Sequence, residues 1–456
     1  MTGSKTLKLT FAGGTGSVTG ANFLVEGEGI KFLVDCGLNQ GTKMADDKNW
    51  DPFIYDPASV DILFITHAHI DHIGRIPKLV HDGFKGKIYS TIPTKDITAL
   101  MLEDTANILS HGDNELLKEI YSPSILEKIT HMWTGIDYHQ DLAIGEYIFR
   151  YRDAGHVLGS GMLELIYNNK KIVFTGDLGN SPSPLLRDTE PLANVDYLLM
   201  ESVYGDRNHT ERNVRREKLE ATIEDNFKRK GTLIIPTFSL ERSQELLFEM
   251  DQLVEHNRIP QMPIFFDSPL GIKLTKVYAK YTRYFNDFAR KIVGEGDDIF
   301  NFPGLTSTLL TEESKEILHS VNPKIVIAGS GMSNGGRILH HEANYLPNPN
   351  NTILLTGYQS MGTMGRAIQD GATEVHINGQ TVAVRAHVVF IDGYSGHKDS
   401  DHLIEFVGQV ADTVKKVFVV MGEPKSSLFL TQRLRDYLGI EAFAPLENDV
   451  VELDCN

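Results

Sequence analysis

The chain has 456 residues, 41% of them hydrophobic, with 40 Gly and 18 Pro spread along it, which points to a globular protein of two domains and excludes a fibrous or low-complexity one. A net charge of −17 argues against broad non-specific nucleic-acid binding, which needs lysines and arginines to displace counterions, but not against a local phosphate site built on metal ions and a few arginines. No apolar run is long enough to cross a bilayer, the amino terminus lacks a signal core, and two cysteines, Cys36 and Cys455, make no disulfide framework, so the expected compartment is the cytoplasm, with no membrane partner.

In chain order, short β-type runs come first: LKLTFA at the amino terminus, FLVEG at 23–27, IKFLVD at 30–35 and DILFIT at 61–66. Helical stretches follow at 94–109 and 113–131, then strands at 147–152, 171–176 and 196–200. The segment IYNNKKIVF at 166–174 has hairpin grammar, so this half is α+β. After Tyr204 the pattern changes to strands alternating with helices: a charged helix near 210–229, TLIIP, a helix at 241–256, IFFD, KIVIAG at 324–329 and TILLTG at 352–357. That alternation predicts a parallel, helix-covered sheet in a separate, inserted domain. VAVRAHVVFID reads as a return to hairpin-like strands, followed by a helix near 401–411, the strand VFVVM and a last amphipathic helix at 427–437. The expected boundaries are 1–205 and 392–456 for the first domain and 206–391 for the insertion.

The segment DILFITHAHIDH carries the strongest chemical signal. His67 and His69 alternate along extended chain leaving a strand, so both reach one ion, while Asp71 and His72 open the next helix and face a neighbouring one. AGHVLGSG places His156, and IVFTGDLG places Asp177, in loops after strands, where ligands converge. Together they supply a third histidine for one metal and a carboxylate able to bridge two.

These motifs, THAHIDHIGRIP, AGHVLGSG and FTGDLGN, resemble the successive metal-binding motifs of the metallo-β-lactamase fold. The resemblance implies that His67, His69 and His156 hold one zinc, that Asp71 and His72 hold a second, that Asp177 bridges them, and that Asp35 supports the metal loop without being a ligand. It continues through MESVYGDR, PTFSLERSQELL, AGSGMSNGGR, GYQSMGTMGR and GYSGHKD, an order similar to that of β-CASP nucleases, the group that includes the cleavage and polyadenylation endonuclease and its archaeal and bacterial relatives. Glu201 is then the family's acidic motif A and His397 its motif B histidine. The implied architecture is a four-layer αββα metallo-β-lactamase domain with an inserted α/β, parallel-sheet β-CASP domain. One position departs from the pattern: VFVVMGEP puts Met421 where the family has a histidine ligand for the second metal, and a thioether is a poor zinc ligand there. The expected cofactor is therefore one or two Zn2+, the second weakly held, with Mn2+ also accepted by such ligands.

The implied function is hydrolysis of RNA phosphodiester bonds with a zinc-activated water, Asp71 and Asp177 serving the metals, His397 acting as general acid and Glu201 holding it charged. The Gly-rich turns AGSGMSNGGR and TGYQSMGTMGR are candidate phosphate seats through Ser330, Gly331, Met332, Gly357, Tyr358 and Gln359, with Arg242, Arg337 and Arg366 as phosphate forks. Single-stranded RNA is the expected partner, and a homodimer is compatible with the sequence. The alternatives are a DNA nuclease, favoured by the Met421 departure, a small-molecule metallo-hydrolase, and a non-catalytic nucleic-acid-binding homologue.

Overall fold

A computed structural model of the chain describes residues 5–41, 43–110, 112–209 and 214–456. The chain forms two compact units, Met1–Asn208 with His397–Asn456, and His209–Gly396.

The first unit holds two seven-stranded sheets. One runs, edge to edge, Val450–Asp454, Thr6–Gly13, Asn22–Gly27, Ile30–Val34, Ile62–Phe64, Lys87–Thr91 and Trp133–Ile136. The other runs Ala442–Phe443, Lys416–Val420, Tyr197–Glu201, Lys170–Phe174, Gly161–Tyr167, Tyr147–Asp153 and Leu142–Ile144. Side chains alternate faces along each strand, and this sorts the core into layers. Phe32, Val34, Ile62 and Phe64 share one buried cluster with Phe149, Leu163, Phe174, Leu199 and Phe418 of the other sheet. Phe64 and Phe149 stack at 4.3 Å between ring centroids. The alternate residues Leu33, Leu63 and Ile65 pack instead with Ile73, Ile76 and Leu79 of the helices outside the first sheet. Val173, Leu198 and Met200 pack with Leu403, Phe406 and Leu430 outside the second. The result is a four-layer αββα sandwich, as the motifs imply.

The hairpin at 166–174 forms as its Asn-Asn turn predicts, with Asn168 at φ 47° and Asn169 at φ 59° joining antiparallel strands. The helical stretch expected over 113–131 consists of two helices, Glu115–Ile120 and Pro123–Met132, because Pro123 has no N–H to continue the first and occupies the opening turn of the second.

The second unit contains a six-stranded sheet in the order Leu305–Ser307, Ile264–Asp267, Lys324–Ala328, Thr232–Pro236, Thr352–Thr356 and His387–Ile391. Every neighbouring pair in it is parallel. The helix expected near 210–229 spans Arg215–Arg229, and residues 210–213 lie outside the described residues. VAVRAHVVFID differs from its hairpin reading. Gln380–Ala383 closes a two-stranded ribbon with Glu374–Ile377, and His387–Ile391 joins the parallel sheet beside Thr352–Thr356. A short apolar strand carries no record of which neighbour it will pair with, so pattern alone could not assign it. Among the described residues no helix is long and apolar enough to cross a membrane.

Within this unit, the helix Ile338–Tyr345 buries Glu342, which accepts a hydrogen bond from the Ser333 hydroxyl on one oxygen while the other has no hydrogen-bond partner. Burial raises its carboxyl from the ordinary 4.5 to about 8. The folded state thus binds this proton more tightly than the unfolded chain does, and the group's contribution to stability is full below 4.5 and is lost as pH rises through about 8. Glu342→Gln is expected to be more stabilising at about pH 8.5 than at about pH 5, by about 2–4 kcal/mol in urea unfolding. An equal effect at both pH values would mean that the carboxyl ionises normally.

Candidate metal centre and catalytic residues

The strand Ile62–Phe64 runs out through Ile65 and Thr66, and the short helix Ile70–Ile73 begins after His69. This places His67, His69, Asp71 and His72 at the C-terminal end of a buried strand. The neighbouring loops close in tightly. A Cβ on Gly37 would stand 1.5 Å from the Asp71 carbonyl oxygen, and one on Gly179 would stand 1.8 Å from that of Gly155, so only glycine permits the approach.

Four side-chain atoms from three loops converge. His67 Nε2 and His156 Nε2 each lie 3.1 Å from His69 Nδ1. Asp177 Oδ2 lies 3.4 Å from His67 Nε2 and 3.6 Å from His156 Nε2. A tetrahedral ion with bonds of about 2.0–2.1 Å would set its ligand atoms about 3.4 Å apart, so the spacing fits a divalent metal. Protonation fits as well. Burial holds His69 and His156 well below the ordinary histidine value, leaving them neutral, and although burial opposes ionisation of Asp177, His72 and His67 keep it well below the carboxylate range.

A hydrogen-bonded shell behind these atoms aims them. Asp35, at φ 61°, accepts from the Thr66 N–H at 2.8 Å on one oxygen and from the Thr66 hydroxyl at 2.8 Å on the other. With its proton given to Asp35, the Thr66 oxygen accepts from His67 Nδ1 at 3.1 Å, which turns the bare Nε2 toward the cluster. His72 Nδ1 likewise lies 2.7 Å from Asp35. Its Nε2 is buried 3.4 Å from Asp177 Oδ1, and neither atom has a hydrogen-bond partner. Such paired orphan acceptors call for a cation or proton between them. Asp71 Oδ2 is 4.0 Å from the same His72 nitrogen. Among the described residues, two groups bring three or more donor atoms within 4.8 Å of one another: His67, His69, His156 and Asp177, and Asp177, Glu201 and His397. Met421, at φ 48°, is buried in the apolar core, and with His72, Asp35 and Thr66 it lines a cavity too small for more than one water.

Glu201 ends the strand Tyr197–Glu201 fully buried. Its Oε1 accepts from the Leu178 N–H at 2.6 Å and faces His397 Nδ1 at 3.1 Å. Burial lowers the His397 pKa, but the Glu201 carboxylate, with Asp177 behind it, overcomes this and holds it at about 9. Lys398, the next residue, donates to the Gly179 carbonyl at 2.9 Å and ties the His397 segment to the Asp177 loop. Neither Thr66 nor Lys398 was singled out from sequence. Their adjacency to His67 and His397 was the available signal.

In the second unit the two Gly-rich turns follow the strands Lys324–Ala328 and Thr352–Thr356 and touch each other. The Gln359 amide donates to the Gly331 carbonyl at 3.1 Å, and the Gly365 N–H donates to that of Met332 at 3.0 Å. Ser330, Gly331, Met332, Gly357, Tyr358 and Gln359 therefore gather at the C-terminal edge of the parallel sheet, where open α/β sheets bind ligands. The arginines expected as phosphate forks are differently used. Arg337 gives its guanidinium to Asp267 and to the carbonyls of Thr308 and Leu309. Arg242 is buried and paired with Glu245. Arg366 pairs with Asp370 at 2.8 Å and stays more than a third exposed. The first two are drawn inward because an acid in reach leaves a buried guanidinium no cheaper partner.

The architecture and the metal-ready cluster define a metallo-hydrolase class, and comparison with known proteins agrees. The family model of the metallo-beta-lactamase superfamily matches residues 16–237, that of the Beta-Casp domain matches 243–368, and that of the Zn-dependent metallo-hydrolase RNA specificity domain matches 381–445. The chain is 34% identical to ribonuclease TTHA0252 of Thermus thermophilus, over 92% of this chain and 94% of that one. It is 30% identical to an RNase J-like protein of Methanocaldococcus jannaschii over 98% and 99%, and 28% identical to transcription termination factor FttA of Methanosarcina mazei over 98% and 72%. A crystal structure of a protein of unknown function from Enterococcus faecalis shares the fold, with TM-score 0.61 at 13% identity, covering 98% of this chain and 100% of that one. This chain belongs to the metallo-β-lactamase superfamily, in its β-CASP branch. Membership implies a bound metal, and the His and Asp groups described above are able to hold one.

Proposed function

We propose that the protein is a metal-dependent ribonuclease that hydrolyses phosphodiester bonds of single-stranded RNA. The observation that carries this reading is the convergence of His67, His69, His156 and Asp177 on one ion-sized space, with the Glu201–His397 pair beside it. The resident ion is zinc, suited to three imidazoles and a carboxylate, and what it supplies when bound is Lewis acidity and positive charge toward a phosphate. Asp177 also orients the attacking water through its carboxylate. His397, kept charged by Glu201, donates a proton to the departing oxygen. The paired Gly-rich turns of the second unit seat a backbone phosphate on their N–H groups. RNA is favoured over DNA by the RNA specificity domain match and by relatives named as ribonucleases. Buried free thiols at Cys36 and Cys455 suit a reducing cytoplasm.

Incubation of the purified protein with end-labelled single-stranded RNA, the matching DNA and a chromogenic thioester tests this. RNA cleavage exceeding DNA cleavage by at least about tenfold is expected, and turnover of the thioester alone would remove the nuclease reading.

Asp71, His72 and Asp177 would hold a second ion through two carboxylates and one imidazole, a weaker set than the first because Met421 replaces a nitrogen ligand. Met421→His is expected to raise metal content from about one toward two equivalents per chain by elemental analysis. Unchanged content would show that position 421 does not serve the second ion.

A further inference from the structure

Asp267 ends the strand Ile264–Asp267 at the sheet edge from which the turn over residues 329–337 emerges, and its side chain is completely buried. Four side chains converge on it. Arg337 and the Thr308 hydroxyl each donate to Oδ1 at 2.6 Å. His341 Nε2 lies 2.7 Å from Oδ2, and the Ser314 hydroxyl donates to the same oxygen at 2.5 Å. Burial alone would neutralise this carboxyl, but His341, Ser314, Thr308 and Arg337 together keep it ionised, far below the ordinary range.

A buried anion satisfied on both oxygens is costly to break, since losing one partner strands the charge. That cost falls on a particular segment. Arg337 closes the turn, and His341 stands one helical turn beyond it on Ile338–Tyr345. The turn itself is folded on its own backbone, Ser330 N–H to Gly335 O at 3.1 Å and Ile338 N–H to Gly329 O at 2.9 Å. Among the described residues the N–H groups of Gly331 and Met332 have no hydrogen-bond partner. Two adjacent unpaired N–H groups held in a fixed turn form an anion-binding concavity only while the turn is held.

We propose that Asp267, acting through Arg337 and His341, is a positioning residue that holds the 329–337 turn in the geometry that seats an RNA backbone phosphate. The proposal rests on the reading of that turn as a phosphate seat. The arginine that resembles a phosphate ligand thus serves the substrate indirectly, by fixing the backbone groups that meet it.

The test uses the full, metal-loaded protein and a fluorescein-labelled single-stranded RNA. Asp267→Asn, nearly isosteric but neutral, is expected to raise KM about tenfold with kcat within about twofold, at unchanged metal content. His341→Gln, which keeps an N–H donor toward the carboxylate, is expected to stay near wild type, whereas His341→Leu follows Asp267→Asn. This pair carries the same comparison if Asp267→Asn does not fold. Unmoved KM in Asp267→Asn and His341→Leu, or loss of kcat and metal together with KM, overturns the proposal. Gly331→Ala separates the two layers, because its Cβ would stand 2.7 Å from the Phe238 ring and must displace the turn. Raised KM in Gly331→Ala with none in Asp267→Asn overturns the positioning role alone. No change in Gly331→Ala overturns the seat itself.

Discussion

His69→Ala is expected to leave the protein folded, with bound metal below about a tenth of an equivalent and RNA cleavage reduced at least about a thousandfold. His69 Nδ1 is the atom from which both His67 Nε2 and His156 Nε2 lie 3.1 Å, so its loss opens one whole face of the cluster. The remaining two imidazoles and Asp177 make a three-ligand set, and zinc affinity falls steeply with ligand number. Folding is spared because His69 is partly exposed, whereas the core of this unit lies between and outside its sheets. Elemental analysis, circular dichroism and the RNA assay decide it. A variant that keeps its metal and its activity would dismantle the metal assignment and, with it, the proposed reaction.

His397→Ala should have the second largest effect, a fall in kcat of about 10²–10⁴ with metal content retained. His397 Nδ1 faces Glu201 at 3.1 Å and stands 4.0 Å from Asp177, so the ring is directed by the acid rather than pulled into the tetrad. The two available roles, proton donor and ligand, make opposite predictions for metal content, since Asp177, Glu201 and His397 also gather donor atoms within 4.8 Å. Loss of metal in the variant would make His397 a ligand. Chemistry offers a second check: a phosphodiester with a nitrophenolate leaving group needs little protonation, so the variant should be impaired far less on it than on RNA. Equal impairment on both substrates would rule out the general-acid role.

How much of this was legible in the sequence differs by element. His67, His69, Asp71 and His72 stand within six residues after an apolar strand, and few purposes other than metal binding put four such groups there. The layers were legible only through the resemblance of the motifs, because IKFLV and ILF are apolar on both faces and their pattern assigns no residue to one side. Helix ends were less so, and Pro123 was the overlooked stop within 113–131. Arg337 shows the opposite failure. A Gly-Arg turn reads the same whether the guanidinium meets phosphate or a buried aspartate, and Asp267 lies 70 residues before Arg337.

The sequence by itself determined the class of chemistry, since metal ligands are restricted to a few residue types at close spacing, and it indicated the layered fold through the resemblance of its motifs. Tertiary structure decided the rest: that Asp35 directs His72 and, through Thr66, His67, that Arg337 and His341 meet Asp267, and that His387–Ile391 completes the parallel sheet of the second unit. These are pairings between distant segments. Their partners are chosen by which charges and lone pairs folding leaves buried and unsatisfied, and no local pattern records that choice.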